Sequence, residues 1–462
     1  MTPMSHWFLP LQKLPVDHPA TRCWHYILPN VGGALAWLRS LGVTRGCRLG
    51  LAGANTPETA ALLQAAPLAG ATTILFNRRL TINELLQQRD QAAVSLVIAD
   101  QHHPLASFST IIPPTFAHDA LPDVSPLLPT DPGFIIFTSG TSGQAKAARL
   151  SWSAICSACD SATAILNMDP NTTWLGCLPL DHIGGASIIL RAGRCGNTVL
   201  LCTHFDATAI NQLLGIRPVD GISVVPTMLH RLLNDRQSRP WPTTLRILLT
   251  GGGPLSAELI NRSTALGLSP HQTYGLTEAA SQVTTLLPAD AASHPGSAGR
   301  PIPGMELRIT YDVIEIRGSS LFDGYEIDGQ LSEPHDANSW FNTGDIGQVD
   351  NDGFLTIHAR RTDLIISGGE NVYPTEIEAI LERHPAIAEA GVFAINDPEW
   401  GQRVAAVVVA RASPLSNADL DAWCAQHLAA FKCPKRWHWA KTLPRTATGK
   451  LQRHLLSTQV EP

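Results

Sequence analysis

The stretch Thr138-Ser139-Gly140-Thr141-Ser142-Gly143-Gln144-Ala145-Lys146 constrains this chain more than any other. It follows Phe134-Ile135-Ile136-Phe137, a short, half β-branched apolar run that reads as a buried strand. Directly after that strand the chain turns into hydroxyls, glycines and one lysine. Glycine opens backbone dihedrals closed to other residues, so successive N–H groups can converge on an anion. The hydroxyls add donors, and Lys146 adds a mobile point charge. These are parts for holding polyphosphate. The spacing does not fit G-x-x-x-x-G-K-[ST], so this is not a Walker-type loop. Taken alone, the same composition also describes a solvated linker.

At 462 residues the chain exceeds one ordinary core, and two or three domains are expected. Hydrophobic residues at 44% and charged residues at 16% describe a globular chain rather than a disordered one. A formal net charge of -6 gives no electrostatic reason to expect nucleic acid as a partner. No apolar run is long enough to cross a bilayer. Residues 1–14 lack the charged start and continuous apolar middle of a signal peptide, so the expected location is the cytoplasm. Nine scattered cysteines suit reduced thiols. Cys156-x-x-Cys159 falls in a helix-like stretch with no second pair at zinc spacing, and packing is its expected role. His102-His103 lacks an acidic or cysteine companion and reads as a solvated loop pair.

Along residues 1–130, apolar periodicity predicts helices over 31–41, 56–68 and 81–89, and strands over 48–52, 72–76 and 95–99. That alternation predicts parallel β-α-β units. A proline-bearing loop, 104–132, leads into the strand before residue 138. Beyond it, 152–166 reads as helix and 174–178 as a buried strand ending in Pro179-Leu180-Asp181-His182-Ile183-Gly184-Gly185. His182 thus stands where open α/β sheets bind ligands, although a hydrogen-bonded turn histidine fits the pattern as well. A short helix over 187–194 carries Arg191, strands follow at 198–202 and 221–225, and Thr227 is placed to start a helix to 234. The strand 245–249 runs into Thr250-Gly251-Gly252-Gly253, bare backbone suited to a flat group. Tyr274-Gly275-Leu276-Thr277-Glu278 offers an aromatic face, a hydroxyl and a carboxylate, a set for a base, a phosphate and a hard cation, or else a surface turn.

From residue 306 short alternating strands predict a small antiparallel subdomain, with Thr343-Gly344-Asp345 inside it. A carboxylate accepting from vicinal hydroxyls is a common way to hold a nucleotide sugar. After Arg360-Arg361-Thr362-Asp363 comes a segment of small-domain size, with a strand over 364–367, a Gly368-Gly369 turn and a helix from Thr375 bearing a Thr375/Glu378 capping box. Strands at 390–395 and 403–409 and a helix at 417–428 complete it. The chain then reaches a basic loop ending at Lys450.

Together these stretches resemble the acyl-adenylating superfamily of acyl-CoA ligases, luciferases and peptide-synthetase adenylation domains. The resemblance covers nearly the whole chain: 138–146, Tyr274 to Glu278, Thr343 to Asp345, Arg360 to Asp363, 368–378 and the Lys450 loop stand in the family's order. It implies an α/β protein with a large N-terminal domain of layered β-α-β sheets and a small β subdomain (1–358), a hinge (359–363) and a small mobile α+β domain (364–462). It implies ATP, Mg²⁺ and coenzyme A, with a carboxylic acid converted first to acyl-AMP and then to a thioester. By that resemblance Lys450 bridges carboxylate and α-phosphate, Glu278 holds Mg²⁺, and Thr277 with the 138–146 loop holds phosphates. Asp345 and Arg360 take the ribose, Gly251 to Gly253 and Tyr274 flank adenine, Thr362 is the hinge, and Gly368-Gly369 lines the pantetheine channel. Ala145 stands where the family usually has proline, which loosens the loop without removing a donor, and Ala359 stands where it usually has glycine.

Residues 179–191, 274–282 and 365–374 look like the versions found in o-succinylbenzoate–CoA ligases of menaquinone or phylloquinone synthesis. Such a substrate keeps one carboxylate charged, and Arg191 supplies a cation that a fatty-acid tunnel would shun. By analogy His182 and Ser281 line the same pocket. The alternatives are a ligase for another aryl or medium-chain acid and an adenylation enzyme that loads a carrier protein.

Overall fold

The computed structural model describes residues 6–100, 111–138, 145–253, 255–327, 329–359, 364–444 and 451–459. The chain divides into a larger unit (1–78, 89–137 and 147–358) and a smaller one (79–88, 138–146 and 359–462).

The expected strand–helix alternation forms parallel sheets in the larger unit. Arg48–Ala52 pairs in parallel with both Thr72–Leu75 and Leu96–Ala99, and Thr72–Leu75 in turn pairs with Pro132–Thr138, within a seven-stranded sheet. An eight-stranded sheet has Thr198–Cys202, Thr173–Gly176, Gly221–Val224, Ile247–Thr250 and His271–Tyr274 in parallel at its centre. His6–Leu9 and Thr284–Leu286 extend it with antiparallel strands. Both faces of the parallel strands are covered, which is why Ile247–Thr250 is buried at every position and reads as an unbroken apolar run. Trp24 meets Trp152 edge-on at 5.0 Å in the shared core and donates its indole N–H to the Gln64 carbonyl at 2.7 Å. Antiparallel strands Met305–Thr310, Val313–Gly318, Phe341–Val349 and Leu355–Ala359 form the expected small β subdomain.

Three local expectations change. The helix carrying Arg191 runs over Ile183–Cys195, so Gly184 and Gly185 lie inside its first turn. Glycine is needed there for approach rather than for breaking: a Cβ on Gly185 would lie 1.9 Å from the Pro179 carbonyl oxygen. The helix near 227 starts at Pro226, with proline at its first position and no capping side chain. The Thr375/Glu378 capping box does not form. That helix, Pro374–Glu382, begins without a side-chain cap, and Glu378 instead accepts from the Val392 N–H at 2.8 Å and pairs with Arg453.

In the smaller unit, Ile387–Asp397 and Gly401–Ala410 form the long centre of a five-stranded sheet. Asn417–His427 carries a true capping box between Ser416 and Asp419. Lys432 is buried, with its ammonium 2.7 Å from Glu84 and 2.6 Å from Glu376. No described helix is long and apolar enough to cross a membrane.

His271 opens the strand that leads to Tyr274. Burial, and then Arg246, pull its pKa down to about 4, and its Nδ1 has no partner among the described residues. The unfolded chain therefore binds a proton that the folded chain refuses between about pH 6.5 and pH 4. Its contribution to stability is present above the unfolded value and is lost as pH falls through that window. Thermal melting should accordingly show a smaller loss between about pH 7 and pH 5 in His271→Gln than in the parent protein.

Candidate active site

Parallel strands of the eight-stranded sheet end beside one another, and the chain leaving each end carries the residues of interest. Residues 177–185 follow Thr173–Gly176, Gly251 to Gly253 follow Ile247–Thr250, and 275–282 follow His271–Tyr274. Strand ends of this kind are where open α/β sheets take ligands.

A small, partly open cavity lies between two helices and the last of these segments. Ile155, Ala158, Cys159 and Ala162 recur at helical spacing on Trp152–Ile165 and make an apolar wall. Ser187 and Arg191 come from Ile183–Cys195, and Ser281 and Gln282 from the turn after Tyr274. The alanines of the first helix keep this wall low and apolar. Cys159 and Cys156 remain thiols: burial pushes Cys156 up to about 11 and Cys159 further, which removes them as redox candidates.

Arg191 is 3% exposed, its guanidinium stacked 4.5 Å from the Trp174 ring. Burial pulls its pKa down to about 10, so it is still a cation at neutral pH. Its Nε and Nη2 groups have no hydrogen-bond acceptor among the described residues. Arg236 provides the comparison within the same unit. It too is buried and stacked on a tryptophan, Trp241, at 4.4 Å, yet it donates to Asn211 Oδ1 and to the Arg239 and Pro240 carbonyls. Buried donors are nearly always satisfied, and a buried cation without an acceptor is costly. Arg191 is therefore a buried cation with donors left over among the described residues.

His182 stands at the start of the Arg191 helix. It does not line the cavity, as expected for it; its neighbour Ile183 does. The ring turns instead to Asn77, whose amide N–H donates to Nε2 at 3.2 Å. Beside it, the Arg78 backbone N–H donates to Asp181 at 2.8 Å.

Other residues singled out in the sequence converge on a second cluster. Buried Tyr274 donates its hydroxyl to Asp345 Oδ2 at 2.7 Å, and the Asp345 N–H donates to Thr343 Oγ1 at 3.1 Å. Gly251 and Gly252 present bare backbone: a Cβ on Gly251 would lie 2.8 Å from the Thr273 methyl, and Gly252 has φ +78. Gly253 continues the same segment. Thr277 opens a short 3-10 turn, Thr277–Ala279, within which Glu278 accepts the Tyr325 hydroxyl at 2.8 Å. Ala280 and Ser281 then take positive φ of 51 and 119, folding Ser281 back over Gly275. A Cβ on Gly275 would lie 1.6 Å from the Ser281 carbonyl oxygen.

In the smaller unit Thr138 and Lys146 end the strands flanking the phosphate-loop stretch. Gly368 and Gly369, with φ of +61 and +86, form the tip of the hairpin between Ile365–Ser367 and Glu370–Val372. Ser139, Gly140, Thr141, Ser142, Gly143, Arg360, Thr362 and Lys450, with His102 and His103, lie outside the described residues. The Trp174 stack, the Asn77 contact and the Tyr325 contact have no motif in the sequence; each joins residues on different elements.

The model for AMP-binding enzymes matches residues 34–325, and the model for AMP-binding enzyme C-terminal domains matches 376–450. This chain belongs to the AMP-binding enzyme family. It is 35% identical over 439 residues to the 2-succinylbenzoate–CoA ligase of Bacillus cereus strain Q1, covering 92% of this chain and 91% of that protein. The ligase of the same name from Bacillus mycoides gives the same identity and coverage. Among solved structures, o-succinylbenzoate CoA synthetase from Bacillus subtilis bound with its product analogue OSB-NCoA matches with TM-score 0.87 and 29% identity over 94% of this chain and 93% of that one. The amide bond synthetase McbA of Marinactinospora thermotolerans, at TM-score 0.83 and 23% identity over 94% and 95%, shares the fold. The α/β fold with a large N-terminal and a small C-terminal domain is thus the family's.

The Gly275–Ser281 contact leaves no room for a methyl group. Gly275→Ala should displace the turn carrying Glu278 and Ser281 and lower acid-dependent pyrophosphate release at least about 100-fold, since misplacements of an ångström carry losses of that order. Steady-state kinetics beside a circular dichroism spectrum of the folded variant would check it.

Proposed function

We propose that this chain converts o-succinylbenzoate to o-succinylbenzoyl-CoA through an acyl-adenylate. The observation that carries the substrate is Arg191, a buried, stacked guanidinium with unmet donors in a cavity whose opposite wall is apolar. An aromatic acid with a second carboxylate supplies both halves of the match: a ring for the Ile155/Ala158/Ala162 wall and an anion for the cation. Ser281 and Ser187 add hydroxyl donors on the same cavity. The relatives from Bacillus cereus and Bacillus mycoides support the same acid.

In the first half-reaction a carboxylate oxygen attacks the α-phosphorus of ATP and pyrophosphate leaves. In the second, the coenzyme A thiol attacks the acyl carbonyl and AMP leaves. Both reactants of the first step are anions, so the chain must supply positive charge and donors before they can meet in line. Lys450 is assigned to the pair of carboxylate and α-phosphate, and the 138–146 loop with Lys146 and Thr277 to the phosphates. Asp345 suits ribose because Tyr274 already orients its carboxyl group while Thr343 holds its backbone N–H, leaving carboxylate lone pairs for hydroxyls. Arg360 is assigned beside it. Tyr274 and Gly251 to Gly253 suit the faces of adenine. Mg²⁺ takes oxygen ligands, one or two of them carboxylates, and neutralises phosphate charge; Glu278, oriented by Tyr325, fits that donor chemistry. His182 is assigned to the reacting end of the acid, held by Asn77. Residues 1–358 are read as the nucleotide and acid domain, 359–363 as the hinge around Thr362, and 364–462 as the mobile domain whose Gly368-Gly369 tip admits pantetheine. Nine free cysteines support a cytoplasmic location.

Pyrophosphate release measured across o-succinylbenzoate, benzoate and medium-chain acids, with and without coenzyme A, tests the reading. Turnover confined to o-succinylbenzoate with AMP and thioester as products supports it. Preference for another acid, or product only with a carrier protein, overturns the substrate or the acceptor. Arg191→Met should raise the KM for the acid about 10- to 100-fold, the worth of charge-assisted hydrogen bonds, with the KM for ATP unchanged. Lys450→Ala should lose adenylate formation while retaining ATP binding, as read by isothermal calorimetry against the pyrophosphate assay.

A further inference from the structure

Outside the residues assigned above, a buried polar side chain braces the segment that leads to His182. Asn55 lies between the strand Arg48–Ala52 and the helix Pro57–Leu68, and is 4% exposed. Its amide nitrogen donates to the Leu178 carbonyl at 3.0 Å and to the Cys202 carbonyl at 3.0 Å. Its amide oxygen accepts from the Leu180 N–H at 2.9 Å. One side chain thus satisfies the last backbone groups of two neighbouring strands and the first turn of the segment leading to His182. Asn77, at the end of the next strand of the same sheet, holds the His182 ring.

We propose that Asn55 is a positioning residue for acid activation, acting through His182. The inference rests on the role assigned to His182 above. Residues 178–182 leave the sheet and are held from the neighbouring sheet: Asn55 binds the backbone at Leu178 and Leu180, the Arg78 N–H binds Asp181, and Asn77 holds the His182 ring. Asn55 is the one of these that fixes the backbone from which His182 projects. The Asn77 amide nitrogen donates, so His182 Nε2 is the accepting nitrogen of this contact. The side chain at 55 must offer two donor directions and one acceptor direction at once. Asparagine does. Aspartate, of the same shape, would set a carboxylate against two carbonyl oxygens in a buried place.

A thermodynamic cycle over Asn55→Ala, His182→Ala and the double variant tests it, read as kcat/KM for the acid in pyrophosphate release, with the KM for ATP and the melting temperature followed alongside. The expected result is a loss of about 10-fold or more for Asn55→Ala, an unchanged KM for ATP, and a double variant no worse than His182→Ala alone, since coupled residues fail to add. Asn55→Asp should lose as much as Asn55→Ala. Where Asn55→Ala yields no folded protein, Asn55→Ser, which keeps one donor, takes its place in the cycle. Additive losses, or a lower melting temperature with kcat/KM within twofold of the parent, would make Asn55 merely structural and overturn the inference while leaving the assignment of His182 intact. A silent His182→Ala would overturn that assignment and this inference with it.

Discussion

A parallel strand spends its backbone hydrogen bonds on its neighbours only while it runs beside them. Where it ends, N–H and C=O groups must find side chains, turns or ligands. In this chain that requirement organises the chemistry. The strand ends at Ala52, Leu75, Gly176, Thr250 and Tyr274 each release a short segment. Each segment is then fixed by a side chain or by close backbone approach: Asn55 on Leu178 and Cys202, Asn77 on His182, Ser281 over Gly275. Polar groups that a sheet cannot satisfy become the ones that hold, or await, a substrate.

The acid cavity follows from how two helices cover that edge. Trp152–Ile165 turns Ala158 and Ala162 toward it, and their small size leaves space that larger residues would fill. From the other helix, Arg191 enters an interior where its charge is poorly solvated. The Trp174 face offsets part of that cost, an interaction of about 0.5–2 kcal/mol, but a ring face takes up none of the N–H directions that lie in the guanidinium plane. On the proposed assignment shape and charge select jointly: a molecule lacking the anion leaves the cation unmet, and one lacking an apolar face leaves the wall uncovered.

Much of this was legible in the order of residues, for physical reasons. Parallel strands covered on both faces must be apolar throughout, so Ile247–Thr250 and its neighbours declared themselves, and the glycines and hydroxyls after them marked the strand ends. Local patterns misled where a distant partner competed. Thr375 and Glu378 have capping-box spacing, but Glu378 is drawn to Arg453, 75 residues on. Gly184-Gly185 lies in the first turn of a helix that the sequence pattern starts only at 187; glycine is needed there because the nearby Pro179 carbonyl leaves Gly185 no room for a Cβ. Asn55 carried no signal at all. Its partners stand 123 and 147 residues away, and a single asparagine before a helix looks like any loop residue.

Arg191 gains its meaning from the other buried cations of the chain. Lys432 is enclosed by Glu84 and Glu376, and although burial alone would lower its pKa, the two carboxylates hold it above its ordinary value. Arg236 spends its donors on Asn211 and on backbone carbonyls while lying on Trp241. Each is a closed account of charge and hydrogen bonds, with nothing left for a ligand. Arg191 shares their burial and Arg236's aromatic support but lacks their acceptors among the described residues. Burial of a cation is thus a structural commonplace in this protein, and what sets Arg191 apart is the missing acceptor beside a cavity, the ground on which the proposed recognition role rests.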